Sequence, residues 1–230
     1  MKKILIIGSS SDISNTLQKD NNYNFINLTS KETDFDILEP STFPKLENLD
    51  GLVYFPGTVN LRPFSNYRER DFQKDYEVNV LGLINVLKNY QLALNQNASI
   101  VTISSIAADF GMPFHASISM CKASVEALTR SLAAEWAPKV RLNCIAPSLV
   151  ETKMTERLTN SDSKKEAIEN KHPLKKIGET SDIAYMISFL LSDKAKWITG
   201  QTIRIDDDVV HSVNRVNWGE RKTLIHWFRE

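Results

Sequence analysis

The run Ala98-Ser-Ile-Val-Thr-Ile-Ser104 is apolar and β-branched, and soon after it Ala123-Ser-Val-Glu-Ala-Leu-Thr-Arg130 carries its apolar positions at helical spacing. A strand must therefore end and a helix begin between them. Ser105 then stands at the C-terminal tip of the strand and Lys122 lies one or two turns into the helix. The N-terminus repeats the pattern: Ile4 to Ile7 runs into Gly8, and Ser9-Ser-Ser-Asp-Ile-Ser14 reads as a tight turn and a helix start capped by Ser11 or Asp12. Continuous apolar strands alternating with helices predict an α/β chain, a doubly wound parallel sheet with helices on both faces. Sheets of this kind bind ligands beyond the C-terminal ends of their strands.

Further strands are expected at Tyr23 to Leu28, Leu52 to Phe55 and Val140 to Pro147. Pro40 and Pro44 interrupt the stretch between Leu28 and Leu52, leaving no room for a full crossover helix, so the sheet is expected to be abbreviated near its second and third strands. Asn66 to Leu94 keeps a helical period through Phe72, Tyr76, Val80, Leu83, Ile84 and Leu87. The helix holding Lys122 should reach about Trp136, with Pro138 as its stop. Thr152 to Lys171 is polar without a strong apolar period and reads as a mobile loop.

A chain of 230 residues, 42% of them hydrophobic, supports one well-cored domain. Its 28 basic and 28 acidic residues cancel, which argues against nucleic acid or an anionic membrane as a partner. Two cysteines cannot form a disulfide framework, and the N-terminal apolar run is too short for a signal peptide or a membrane span, so a cytoplasmic protein with free thiols is expected.

The segment SIAADFGMPFHASISMCK, from Ser105 to Lys122, resembles the active-site segment of the short-chain dehydrogenase/reductase family, most nearly its 3-oxoacyl-[acyl-carrier-protein] reductases. Val78-Asn-Val-Leu-Gly82, Pro147-Ser-Leu-Val-Glu-Thr152, His172-Pro-Leu-Lys-Lys-Ile-Gly-Glu179 and Ile198-Thr-Gly-Gln-Thr-Ile-Arg-Ile-Asp206 extend the likeness. The resemblance implies a Rossmann-like domain over residues 1–208 and a C-terminal extension over 209–230. The extension carries Trp218, Trp227 and Phe228 and is expected to pack on the domain or on a neighbouring subunit. It also implies a homodimer or homotetramer, no metal, and a carbonyl or secondary alcohol as the small-molecule substrate.

By the same resemblance the catalytic residues are Asn79, Ser105 and Lys122. The family's tyrosine falls on Ile118, which has no proton to give. The implied cofactor is NADP(H) rather than NAD(H), held by Gly8, Ser10, Ser11, Asp12, Ile13, Lys31, Asp36, Ile37, Gly57, Asn79, Lys122, Pro147, Val150 and Thr152. Lys31, after the second strand, favours a 2′-phosphate if it is not simply a solvated surface lysine. Gly8 keeps one glycine of the family's Gly-x-x-x-Gly-x-Gly turn, while Asp12 and Ser14 replace the others, and Ser148 replaces a glycine near the nicotinamide. A carboxylate about 5 Å from a phosphate is repelled by roughly 3 kcal/mol at an effective dielectric near 20. Asp12 escapes that cost if it turns back to cap the helix. Ser14 either crowds the contact between helix and strand or meets a phosphate oxygen.

Three readings follow. The first is a reductase whose proton comes from Lys122, from a water held by Asn79 and Lys122, or from His115. The second is a redox-silent relative that binds a nucleotide or a partner enzyme. The third is a structural subunit without cofactor.

Overall fold

A computed structural model describes residues 1–31 and 34–207. The C-terminal extension expected over 209–230 lies outside the described residues. Six parallel strands form one sheet in the order β2-β1-β3-β4-β5-β6, where β1 is Lys2–Ile7, β2 Tyr23–Leu28, β3 Leu49–Tyr54, β4 Leu94–Ile103, β5 Val140–Pro147 and β6 Thr202–Ile205. Ile4 to Ile7 are fully buried, as the unbroken apolar run requires. The order reverses between β1 and β3, and that is where an open α/β sheet leaves a crevice.

Helices cover both faces, each over its own core. On one side α3 (Gly82–Tyr90) and α4 (Ala116–Trp136) pack Leu83, Val86, Tyr90 and Val125 against Leu52, Ile100 and Leu142. On the other, α1 (Asp12–Leu17) and α7 (Thr180–Leu191) pack Leu17, Ile183 and Ile187 against Ile4, Val53 and Ile145. The abbreviated edge is present: among the described residues between β2 and β3 there is no strand and no α-helix, only a 3₁₀ turn at Pro40–Thr42. Phe35, Phe43 and Tyr90 fill the space, with ring centroids 4.8 and 6.0 Å apart along the row.

Two expectations are corrected. The helical run from Asn66 to Leu94 is not one helix. It divides into α2 (Glu69–Tyr76), a π-helical turn (Glu77–Leu81) and α3, and Leu94 already opens β4. Tyr76, Val80 and Ile84 recur every four residues, a spacing that suits an α turn and the wider π turn alike, so the pattern does not reveal it. The segment from Thr152 to Lys171 is not a loop but carries two short helices, α5 (Glu156–Thr159) and α6 (Asp162–Glu169). Ser161 caps α6 by accepting from the backbone N–H of Lys164 at 3.4 Å. No residue of either helix is buried, so neither carries the broad apolar face that a helical period would show.

Candidate active site

A cavity of about 1480 Å³ opens along the C-terminal ends of the strands, larger than the space a drug-sized ligand fills. Its wall includes Gly8, Lys31, Ser105, Ile118, Lys122 and Thr152. Ser105 and Lys122 therefore face one compartment. Ser105 leaves β4 in extended conformation, and its Oγ accepts from the N–H of Ala107 at 3.2 Å. Its own hydroxyl hydrogen is thereby left to donate. The neighbouring Ser104 also borders the cavity, but its hydroxyl is committed to Glu126 at 2.7 Å, which favours Ser105 of the two serines that the sequence offers side by side.

Lys122 is only 7% exposed, and its Nζ donates to the carbonyl of Ile103 at 2.9 Å. Burial lowers its pKa from the ordinary 10.5 to about 8. The ammonium is thus fastened to the tip of β4, two residues before Ser105.

Asn79 sits in the π turn. A π turn moves backbone hydrogen bonds on by one residue, and the Asn79 side chain uses the change by donating from Nδ2 to the Asp75 carbonyl at 2.8 Å and to Thr58 Oγ1 at 2.9 Å. Its Oδ1 is buried without a partner. A Cβ on Gly57 would lie 3.3 Å from that oxygen and 3.3 Å from Lys122 Nζ. An unpaired acceptor beside an ammonium with unused N–H groups suits a water or a sugar hydroxyl.

At the first turn Gly8 has φ +77°, and a Cβ there would meet Pro56 Cδ at 3.0 Å. Ser11 caps α1, accepting from the N–H of Ser14 at 3.1 Å. Asp12 neither caps the helix nor stands free: its Oδ2 accepts from the N–H of Lys153 at 2.7 Å, fastening the turn to the segment after β5. Ser14 does not reach the cavity. It is fully buried, and its hydroxyl accepts from Gln18 at 3.0 Å. Ser10 lies 3.3 Å from the Thr29 hydroxyl, and Ile13 also lines the cavity. The N–H groups of Gly8, Ser9 and Ser11 are bonded within the chain, and the glycine turn with the N–H groups that open α1 fits the diphosphate of a dinucleotide.

Lys31 and Asp36 are exposed at the far end of the cavity, and Ile37 is half-buried there. Pro147 closes β5, and the Val150 carbonyl accepts from Thr155 Oγ1 at 2.6 Å. The Thr152 hydroxyl meets that of Thr155 at 3.1 Å. His115 also lines the cavity, but its Nδ1 donates to the Pro113 carbonyl at 2.7 Å and burial lowers its pKa, so the ring is held towards the neutral form and is a poor acid.

Two pairs at the site were not foreseen. Asp75 is buried on α2 and accepts from Thr58 at 2.6 Å, holding the hydroxyl that positions Asn79. The spacing of four residues between Asp75 and Asn79 was a usable signal. His172 pairs with Asp207 at 2.7 Å, and no sequence pattern links them.

A profile of the family described as enoyl-(acyl carrier protein) reductase matches residues 30–207. The 3-oxoacyl-(acyl-carrier-protein) reductase of Thermotoga maritima is 30% identical over 188 residues, 80% of this chain and 75% of its own. The chain belongs to the short-chain dehydrogenase/reductase family. A small-chain dehydrogenase solved with NADPH superposes with a TM-score of 0.84 at 21% identity, covering 91% of this chain and 99% of its own. A 4-hydroxyisoleucine dehydrogenase solved with NADH gives 0.78 at 24% identity, covering 90% and 98%. At these identities the two structures speak for the Rossmann-like fold.

Proposed function

We propose that this short-chain dehydrogenase/reductase is a carbonyl reductase that uses NADP(H) in preference to NAD(H), with Lys122 supplying the proton that a tyrosine supplies elsewhere in the family. The observation that carries the reading is the convergence of the Ser105 hydroxyl and the Lys122 amine on one cavity. A bound nicotinamide would supply hydride to the carbonyl carbon. Ser105 donates a hydrogen bond to the carbonyl oxygen and holds it as negative charge grows there. Lys122 gives up its proton directly or through a water on Asn79 Oδ1, and a pKa of about 8 suits an acid working near neutrality. Ile118 is buried on the wall and contributes shape without a proton.

Gly8, Ser10, Ser11 and Ile13 would bind the diphosphate, and Asp36 and Ile37 would flank the adenine. Gly57, Asn79 and Lys122 would take the nicotinamide ribose, and Pro147, Val150 and Thr152 the carboxamide. Lys31 supports the preference for a 2′-phosphate. Asp12 lines the same cavity and works against a tightly held diphosphate. Phe64, Tyr76 and Met120, exposed on and beside α2 and α4, offer apolar surface for a homodimer. The buried thiols Cys121 and Cys144 suit a reducing compartment such as the cytoplasm.

Titration of the purified protein with NADPH and NADH tests the reading. Binding of NADPH well ahead of NADH, followed by turnover on a panel of carbonyl compounds, is expected. Binding without turnover would favour a redox-silent nucleotide-binding protein, and no binding of either at millimolar concentration would overturn both.

A further inference from the structure

From Glu151 to Lys171 the chain carries five acidic and five basic side chains. They are sorted by sign. Lys153, Arg157, Lys164 and Lys171 line the cavity, whereas Glu151, Glu156, Asp162, Glu166 and Glu169 do not. The remaining cation, Lys165, pairs with Glu151 at 2.8 Å, away from the cavity wall. Two short helices of nearly neutral composition thus turn a cationic face inwards.

Lys153 belongs to the diphosphate end, since its N–H is held by Asp12. Arg157 and Lys164 lie beyond it. Among the described residues neither Arg157 nor Lys164 makes an ion pair, and Lys164 donates to the neutral amide oxygen of Asn160 at 3.1 Å.

His172 adds a fixed polar group to the lining of the same cavity. It is 4% exposed, and its Nδ1 donates to Asp207 Oδ1 at 2.7 Å. Asp207 Oδ2 in turn accepts from the N–H of Leu174 at 2.9 Å, so the ring cannot swing and Nε2 is the nitrogen left for the cavity. Asp207 follows the tip of β6 as Ser105 follows the tip of β4, with β5 between them. Two strand spacings separate those tips by about 10 Å. A substrate with an arm of several atoms spans that distance.

We infer that the substrate is a carbonyl compound carrying an anionic group, a carboxylate or a phosphate, which docks against Arg157, Lys164 and His172. The inference rests on the reductase reading and names the substrate class of that site. A charge-assisted contact of this kind is worth about tenfold in affinity or more.

The test compares matched pairs on the NADPH-loaded protein: acetoacetate against its ethyl ester, and dihydroxyacetone phosphate against dihydroxyacetone. The charged member of at least one pair should be preferred at least tenfold in kcat/KM, and the pair that responds separates carboxylate from phosphate. Arg157→Gln, at an exposed position, and His172→Asn, which keeps an amide donor for Asp207, should each bring the charged-to-neutral ratio towards one. Lys165→Gln should leave it unchanged. NADPH binding reports whether each variant is folded. Equal or better use of the neutral members in both pairs, or equal losses on both members in Arg157→Gln, overturns the inference while leaving the reductase reading in place. If NADPH binds and none of the four compounds turns over, the reductase reading fails, and calorimetric dissociation constants for the same pairs decide the inference. Tighter binding of a charged member that Arg157→Gln abolishes supports it, and equal binding overturns it.

Discussion

Asn79 Oδ1 and Lys122 Nζ converge on one point above Gly57, each 3.3 Å from where a Cβ on that residue would be. One comes from a π turn between α2 and α3, the other from the second turn of α4, and each is held by a second contact: Asn79 through Thr58 and Asp75, Lys122 through the Ile103 carbonyl. The space between them exists because residue 57 has no side chain.

The buried amine makes stability depend on pH. The folded pKa of Lys122, about 8, lies below its ordinary 10.5, so between these values the unfolded chain binds the proton that the native state has released, and stability rises with pH. The cost of burying the charge is fully present below about 8 and gone above 10.5. Lys122→Met should therefore stabilise the apoprotein near neutral pH by up to about 3 kcal/mol, at about 1.4 kcal/mol per pKa unit. The gain should vanish near pH 11. Denaturant midpoints of the two proteins across this range check it.

Ser105→Ala removes the donor aimed at the carbonyl oxygen. Turnover should fall by about 10² or more while the NADPH dissociation constant stays within about twofold. The lost contact with the Ala107 N–H costs about 1 kcal/mol of stability, visible as a small drop in melting temperature. Unchanged turnover would exclude Ser105 from the chemistry.

Asp12→Asn keeps an oxygen for the Lys153 N–H and removes a negative charge from the cavity. Nucleotide binding should tighten by about tenfold or more, since the full repulsion at about 5 Å is roughly 3 kcal/mol at an effective dielectric near 20. The gain should shrink in high salt. Fluorescence titration of NADPH at two ionic strengths measures both effects.

Gly8→Ala forces a side chain into a left-handed backbone at φ +77° and against Pro56 at 3.0 Å. A cost of about 1–2 kcal/mol is expected from the backbone alone. NADPH binding should weaken together with the denaturation midpoint, whereas a shift in only one of the two would separate the turn's structural role from its binding role.

The strands at Tyr23–Leu28 and Val140–Pro147, the stop after Trp136, the abbreviated edge before β3 and the placement of Ser105 and Lys122 were all legible in the sequence. Those features follow from local chemistry: apolar runs, helical period, proline and the capping hydroxyl of Ser11 act within a few residues of themselves. The π turn was not legible, because apolar residues spaced by four, Tyr76, Val80 and Ile84, suit an α turn and the wider π turn alike. Nor was the sorting of charge on α5 and α6, since which side of a polar helix faces inwards depends on a cavity that other elements create. The direction of Asp12 was set by Lys153, 141 positions away, and the orientation of His172 by Asp207, 35 away. Sequence alone determined where the chain changes from strand to helix and which residues stand at those changes. Only the tertiary structure decided which side chains meet across the strand tips, because a hydrogen-bond partner is chosen by the crossovers that bring distant segments together.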